Sequence, residues 1–299
     1  MLPAVPAPSR ILCSALAVVA VLVGGALAGA QSPAASPVAG VSHPTGATDV
    51  VLRMDTAGGL IQPTYRLTQA PEFTLYGDGT VIFRPSADPA GDGLPPFVQA
   101  TMSAEQMNVL LAYALGPGGL RDAREAYEHR QITDQPTTVF SIDADGVDKT
   151  VAVYALGATQ SDAADAAAYA GFQALGSLLV DFGQQVAQGH AQDPHVYQPA
   201  EYWAFLSPAM DPSVVAIAWP WPDLTLDDFQ PYAANEGVLV GGLSPEQAAQ
   251  VTTVPSGGVP SIAIQAPDGT PLTLSLRPLL PGESVDPAAS AVPAASAAP

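Results

Sequence analysis

The chain is 299 residues long and 48% hydrophobic, which is enough to build the core of one large or two modest domains. It holds 28 acidic residues against 9 basic ones, a formal net charge of −19. Such a negative field disfavours nucleic acid and anionic lipid as partners, because proteins bind both through lysine and arginine. We attribute the acidity to solubility rather than to cation binding.

The N-terminus carries an export pattern. Arg10 precedes an uninterrupted run of apolar and small residues that ends at Ala28-Gly-Ala30. This pattern predicts that residues 1–30 are a secretory signal peptide and that the protein is extracytoplasmic, either secreted or attached to the cell envelope. The run is also long enough to cross a bilayer, so an uncleaved membrane anchor is the alternative and would be the only membrane contact.

The single cysteine, Cys13, lies inside this export segment. Cleavage after Ala30 would therefore leave a chain without cysteine. Disulfides, thiol catalysis and thiolate metal sites are then excluded, and stability has to come from packing.

Composition divides the rest of the chain. Segments rich in proline, alanine, serine and glycine, with no apolar period, predict a disordered spacer and a disordered tail. Between them the patterns predict two α+β lobes joined by a linker. In chain order the segments are the spacer 31–48, the first lobe 49–189, the linker 190–199, the second lobe 200–280 and the tail 281–299.

The sharpest local pattern is at residues 73–83, which read Phe-Thr-Leu-Tyr-Gly-Asp-Gly-Thr-Val-Ile-Phe. Side chains alternate on both sides of Gly77-Asp-Gly79, whose glycines can supply positive φ angles. The stretch predicts a β-hairpin. Extended patterns at 49–54 and 63–68 precede it and predict an antiparallel sheet.

Two helix starts share one design. Ser103-Ala-Glu-Gln106 is a capping box, and the helix it begins is expected to bury Leu110 and Leu111. Ser244-Pro-Glu-Gln247 repeats the box with proline at the first helical position, where its missing N–H costs nothing. A long alanine-rich helix is predicted between them, opening at Ser161 or Asp162 and ending near Gly189.

Each capping box is followed by an Asp-Gly hairpin, at 137–156 and at 261–276. Further strands are predicted at 201–206, 214–219 and 237–240. The fold class is therefore α+β, with antiparallel sheets and one or two packed helices in each lobe. The shared order indicates either a degenerate internal duplication or the chance recurrence of common motifs.

One acidic turn is a candidate metal site. Asp143, Asp145 and Asp148 lie within six residues beside Gly146, as in a fragment of a calcium loop. The twelfth position of such a loop requires a bidentate glutamate, but here it is Tyr154. A hairpin turn with solvated acids is the favoured interpretation.

A group of aromatic residues is the candidate binding site. Tyr202, Trp203, Trp219 and Trp221 include all three tryptophans of the chain, and prolines follow the last two. Such rings can stack on sugars or on proline-rich peptides. The favoured alternative is that they belong to the core of the second lobe.

A search for a catalytic constellation finds none of the common motifs: no G-x-S-x-G, no H-E-x-x-H and no glycine-rich phosphate loop. Of the four histidines only His129 falls inside a predicted lobe and outside a linker. These observations lean against an enzyme and predict no cofactor. A secreted hydrolase with dispersed Asp and Glu side chains is the alternative, because such acids need not be close in sequence.

The leading hypothesis is a monomeric, non-enzymatic binding module. Its partner would be a peptide, a protein or an envelope glycan outside the cytoplasm, bound through one of the sheets. A calcium-stabilised structural module is a further alternative.

Three motifs resemble those of a known group. The F-x-L-Y-G-D-G-x-V hairpin, the S-x-E-Q helix start and the closing Leu-Arg-Pro-Leu-Leu-Pro-Gly at 276–282 are similar to motifs in a group of uncharacterised exported bacterial proteins. The resemblance covers most of 49–282 and implies export and one coherent folded region. It implies no activity, catalytic residue or cofactor.

Overall fold

A computed structural model describes residues 40–59, 67–86, 95–129, 132–158, 165–209, 215–251 and 259–288. All of them belong to one compact unit, 39–299. Over these residues the chain is an α+β protein with two mostly antiparallel sheets and four α-helices, which confirms the predicted fold class. The predicted signal peptide lies outside the described residues, as does most of the strand predicted at 63–68.

The first sheet has eight strands. They are β1 (Val50–Gly58), β2 (Phe73–Tyr76), β3 (Thr80–Phe83), β4 (Val98–Thr101), β5 (Ala126–Tyr127), β6 (Pro136–Ala144), β7 (Val147–Tyr154) and β8 (Gln192–Val196). Their order across the sheet is β5-β7-β6-β1-β2-β3-β4-β8. Only the pair β5 and β7 is parallel.

The second sheet has six strands. They are β9 (Tyr202–Pro208), β10 (Ile217–Ala218), β11 (Gln230–Pro231), β12 (Leu239–Leu243), β13 (Val259–Gln265) and β14 (Pro271–Pro278). Their order is β10-β13-β14-β9-β12-β11, and only β10 and β13 run parallel. Of the strand predicted at 214–219, residue 214 lies outside the described residues, and within 215–219 the paired residues are Ile217 and Ala218.

The helices are α1 (Ala104–Leu115), α2 (Ala166–Val180), α3 (Phe182–Ala187) and α4 (Pro245–Ala248). Both predicted capping boxes form: Ser103 and Ser244 accept hydrogen bonds from the backbone N–H groups of Gln106 and Gln247, whose side chains accept in return. The second box begins a helix of a single turn. Within the described part of the chain, no helix has the length and apolarity needed to cross a membrane.

The larger core lies between one face of the first sheet and the helices α1, α2 and α3. Phe73 and Phe83, which face each other across the opening hairpin, pack edge-on against Phe182, with ring centroids 4.9 and 5.2 Å away. Leu110 and Leu111 of α1 are buried here, as predicted. The hairpin therefore supplies part of the surface on which the helices pack.

The turn of the opening hairpin is itself covered. Only Gly79 has a positive φ, +89°, so the expectation of positive φ at both glycines is wrong for Gly77. A Cβ at Gly77 would lie 2.3 Å from the carbonyl oxygen of Pro44, because residues 40–48 pass over the turn. Glycine is needed at position 77 for close approach rather than for its backbone angles.

The predicted spacer and tail extend too far into the folded chain. Residues 40–48 are held by polar contacts: Val41 N–H donates to Asn108 Oδ1, and Asp145 N–H donates to the Ser42 carbonyl. In the tail, Glu283 accepts hydrogen bonds from Arg277 and from Leu280 N–H. These contacts involve backbone groups and polar side chains, so they require no apolar period in the sequence, and the lack of one did not indicate disorder.

The predicted linker also differs. Residues 192–196 form β8, which pairs with β4 through Val98 and Val196. The chain then passes from the first sheet to the second at 197–201. The hairpins after the two capping boxes are placed differently as well: β6, the first strand of one, adjoins β1, whereas β13, the first strand of the other, adjoins the edge strand β10. The internal duplication stays a prediction.

Candidate functional site

The four predicted aromatic residues do not form one platform. Tyr202 and Trp221 are each 1% exposed and lie in the core on one face of the second sheet. Trp219 packs edge-on against Trp221 at 5.0 Å, and its Nε1 donates to the Leu224 carbonyl. Trp203 lies on the opposite face, because neighbouring residues of a strand point to opposite sides. These aromatic rings therefore pack mostly into the two hydrophobic cores, one on each face of the second sheet.

The predicted metal residues form the turn of a two-residue hairpin. Asp145 and Gly146 have φ angles of 53° and 72°, the pattern of a type I′ turn between β6 and β7. Asp145 is paired with Arg121, and Asp143 faces Asp148 across the strands. Among the residues that the structure describes, no three His, Cys, Asp or Glu side chains are grouped to hold a metal ion.

A polar cluster, which the sequence patterns did not reveal, joins the two sheets. We call it the inter-sheet cluster. Its members from β1, β2, β14 and the segments beside them are Arg53, Asp55, Glu72, Thr74, Tyr76, Tyr197, Arg277 and Glu283. The only sequence signal was an arginine inside each of two strands that contain no other basic residue.

Glu283 is the centre of this cluster. Its carboxylate accepts from Arg277 at 2.9 Å and from Leu280 N–H at 2.9 Å, and lies 3.9 Å from Arg53 of the first sheet. Arg277 is 8% exposed and also donates to the Gln69 carbonyl at 2.8 Å. One carboxylate thus bridges arginines from both sheets.

Burial sets the protonation of the cluster. Burial raises the pKa of Asp55, although the positive charge of Arg53 acts in the opposite direction. Burial also raises the pKa of Glu72, although a hydrogen bond from Thr56 opposes that shift. Burial raises the pKa of Tyr197 to about 12 and that of Tyr76 further. Both phenols are therefore neutral at physiological pH.

Asp55 and Glu72 are the pair that bears on the hydrolase alternative. Glu72 N–H donates to the Met54 carbonyl, which extends the ladder between β1 and β2 and sets the two acids side by side. Thr56 lies between them: its N–H donates to Asp55 Oδ1 and its side chain bonds Glu72. Glycosidase acids instead face each other across a substrate site.

A cavity of about 430 Å³ opens beside the far ends of β6 and β7. Its lining residues are Ile132, Gln135, Pro136, Thr138, Ala155, Leu156, Gly157 and Ala158. None of these side chains titrates, so the depression offers no general acid, base or metal ligand.

The edges of the sheets differ in how they are protected against a further strand. Over the described residues, β8 carries Pro194 beside Asp193, whose φ of 53° marks a bulge, and β11 contains Pro231. β5 has only two residues, between Glu125 and Glu128. Proline, charge, bulges and shortness are the devices that block edge pairing.

The fourth edge, β10, is also short, with two paired residues, and Pro220 follows it closely, but the exposed run at this edge contains no proline or charge itself. Residues 215–219 read Val-Ala-Ile-Ala-Trp, without charge or proline, and Val215 and Ile217 are 93% and 40% exposed. Ile217 pairs with Ile264, which is fully buried in the core of the second sheet. The apolar face of that sheet therefore continues past its last strand into solvent.

No family model, curated protein or solved structure matches the chain. Over the described residues, the fold and its surface define an α+β protein of two sheets in which the β10 edge is apolar and exposed.

Proposed function

We propose that the protein is a non-enzymatic, extracytoplasmic binding module that accepts an extended segment of a peptide or protein as an additional strand beside β10. The observation that carries this proposal is the exposed apolar run 215–219, which contains no proline or charge, at a described edge of the second sheet. The export pattern at residues 1–30 supports a partner met outside the cytoplasm.

The physical basis is strand addition. An edge strand presents backbone N–H and C=O groups on its outer side, and an incoming strand satisfies them while its alternate side chains pack on the neighbouring face. At β10 that face already holds Ile217 beside the buried Ile264. A bound strand would bury Val215 and Ile217, each of which contributes about 1.5–3 kcal/mol when fully buried.

A peptide or protein partner is supported better than a glycan. Sugar stacking needs exposed aromatic faces, but Tyr202 and Trp221 are buried and Trp219 is half-buried against Trp221 and Phe229. The hydrolase alternative has less support, because Asp55 and Glu72 lie side by side within a sheet.

Hydrogen exchange on the exported protein tests the proposal. A displayed library of peptides about eight residues long should yield binders that protect the amides of 215–219 from exchange. The double variant Val215→Lys, Ile217→Lys should lose this binding, because it places two charges beside the new strand.

Val109→Lys is the matched control, because Val109 is 66% exposed on α1. This helix packs on the first sheet, whereas β10 belongs to the second sheet. It should bind peptides as the parent does. Selection of no peptide, or protection confined to other segments, would refute the proposed function.

A further inference from the structure

We propose that the segment bound at β10 is an amphipathic cationic strand, with apolar residues at alternate positions and lysine or arginine between them. This inference rests on the proposed function and adds the chemistry of the partner.

The apolar half of this pattern follows from the face that β10 leaves open. Ile217 lies beside the buried Ile264 and Trp219 packs against the core of the second sheet, while Val215, the alternate residue before Ile217, is 93% exposed. An incoming strand must place its own alternate side chains next to these. Apolar, β-branched residues suit such positions, because they would pack beside these side chains and shield them from water.

The cationic half of the proposed pattern follows from the opposite face of the second sheet and from the negative charge of the chain. Ala216 and Ala218 are small, so the partner's other side chains would stand in solvent above them. The pair Ala218 and Gln265 places the end of β10 near the β13–β14 turn, which contains Asp268. Thr270 N–H donates to this carboxylate, which lowers its pKa and keeps it charged.

The net charge of the chain, −19, adds a long-range attraction for cationic segments. The same charge argues against a second copy of this chain as the occupant. Two copies would repel each other, and the run 215–219 of a second copy carries no lysine or arginine to offset the repulsion.

The length of the exposed run sets the length of the partner. Five residues in extended conformation cover about 16 Å at roughly 3.3 Å per residue. The recognised segment is therefore about five to seven residues long, with two or three apolar positions facing Val215 and Ile217.

Three synthetic seven-residue peptides test the inference by titration calorimetry on the exported protein. The first alternates lysine and valine, the second alternates glutamate and valine, and the third has the composition of the first with its valines and lysines in separate blocks. The alternating lysine peptide should bind at least about tenfold more tightly than either of the others at low salt. Its affinity should fall as salt rises from about 0.01 to about 0.5 M, because the attraction is screened.

Variants locate the site. Ile217→Lys should weaken the alternating lysine peptide at least about tenfold, and Val109→Lys should leave its affinity unchanged. Val215→Pro provides a second variant, which removes a backbone N–H from the exposed run and fixes its φ at a residue whose side chain is 93% exposed. A melting curve checks that each variant is folded.

The outcomes separate the two proposals. Equal affinity for the lysine and glutamate peptides overturns the inference and leaves strand addition intact. Equal affinity for the alternating and block peptides overturns it as well, because charge alone then explains binding. Sedimentation that shows a dimer lost in Val215→Pro would make a second copy the occupant. Failure of these peptides and of the peptide library together refutes the proposed function.

Discussion

Gly77 and Gly79 flank the same turn, and a Cβ at either would overlap a backbone carbonyl oxygen, but only Gly79 also has a positive φ. Gly79 has a φ of +89°, which side chains rarely adopt. Gly77 has no positive φ, but the chain segment before β1 crosses directly over it, and the Pro44 carbonyl occupies the place of a Cβ. A glycine read from sequence as a turn former is here a point of close packing.

We expect Gly77→Ala to lower the free energy of unfolding by about 2–3 kcal/mol, because the added methyl overlaps a backbone carbonyl. Gly146→Ala is the control: its Cβ would meet no atom within 4 Å, so only the left-handed backbone penalty of about 1 kcal/mol applies. Urea denaturation of both variants measures the difference. Equal losses in the free energy of unfolding would show that the segment over Gly77 moves aside for the added methyl group at little cost.

The β6–β7 hairpin shows how turn residues and strand residues differ in what they contribute. Asp145 and Gly146 adopt the left-handed angles that a two-residue turn requires, and aspartate tolerates them better than most residues. Two positions along, Asp143 and Asp148 stand directly opposite each other with like charges. The turn favours the hairpin and the acid pair opposes it.

Asp148→Asn should therefore stabilise the protein, by about 0.2–1 kcal/mol, because it removes repulsion between directly opposed residues. Thr150→Ala on the same strand should do the reverse, since its hydroxyl lies 3.2 Å from Ser141 Oγ. Melting curves with and without millimolar calcium complete the test. If calcium raises the melting temperature of the parent and Asp148→Asn abolishes that rise, the metal site becomes the better interpretation.

At the scale of the whole molecule, polar groups join the two sheets alongside a small apolar cluster that contains Tyr76 and Leu280. The inter-sheet cluster brings together β1, β2, β14 and the segment after β14, and Glu283 contacts arginines of both sheets. Buried ion pairs are costly to break from one side, because the remaining charge stays in the interior without its partner.

Glu283→Ala should cost about 1.5–3 kcal/mol, the range for hydrogen bonds to charged groups. Asp145→Asn is a suitable comparison, because both members of its ion pair with Arg121 are nearly half exposed and exposed pairs contribute less than about 1 kcal/mol. Denaturant titrations measure both. A loss at Glu283 no larger than that at Asp145 would mean that the cluster does not hold the sheets together.

The same cluster predicts a dependence on pH. Burial raises the pKa of Asp55 and Glu72 above their ordinary values of 3.8 and 4.5, so the folded protein binds these protons more tightly than the unfolded chain does. Their contribution to stability is complete below the ordinary values and is lost as pH rises through the raised ones.

The variant Asp55→Asn, Glu72→Gln should consequently gain stability relative to the parent as pH rises from about 4 to about 7, because it has no proton to lose. Comparing the two proteins at each pH cancels the titration of the exposed acids. A difference that stays constant over this range, or that decreases, would contradict the assigned effect of burial.

Local patterns determined much of this structure from sequence alone. Both capping boxes, the three Asp-Gly turns and the α+β class depend on neighbours within a few residues, so the sequence contains the whole cause. The position of Phe73 and Phe83 under the helices likewise follows from alternation along the strands.

Only the tertiary structure decided the rest. Arg277 and Glu283 are close in sequence, but Arg53 reaches them from the opposite end of the chain, and no local pattern predicts such a meeting. The same holds for the edge at β10: the run 215–219 reads as an ordinary apolar strand, and whether its outer side is covered depends on which strand ends the sheet. Strand order is set by contacts between distant segments, so the feature on which the proposed function rests is one that the sequence contains but does not reveal.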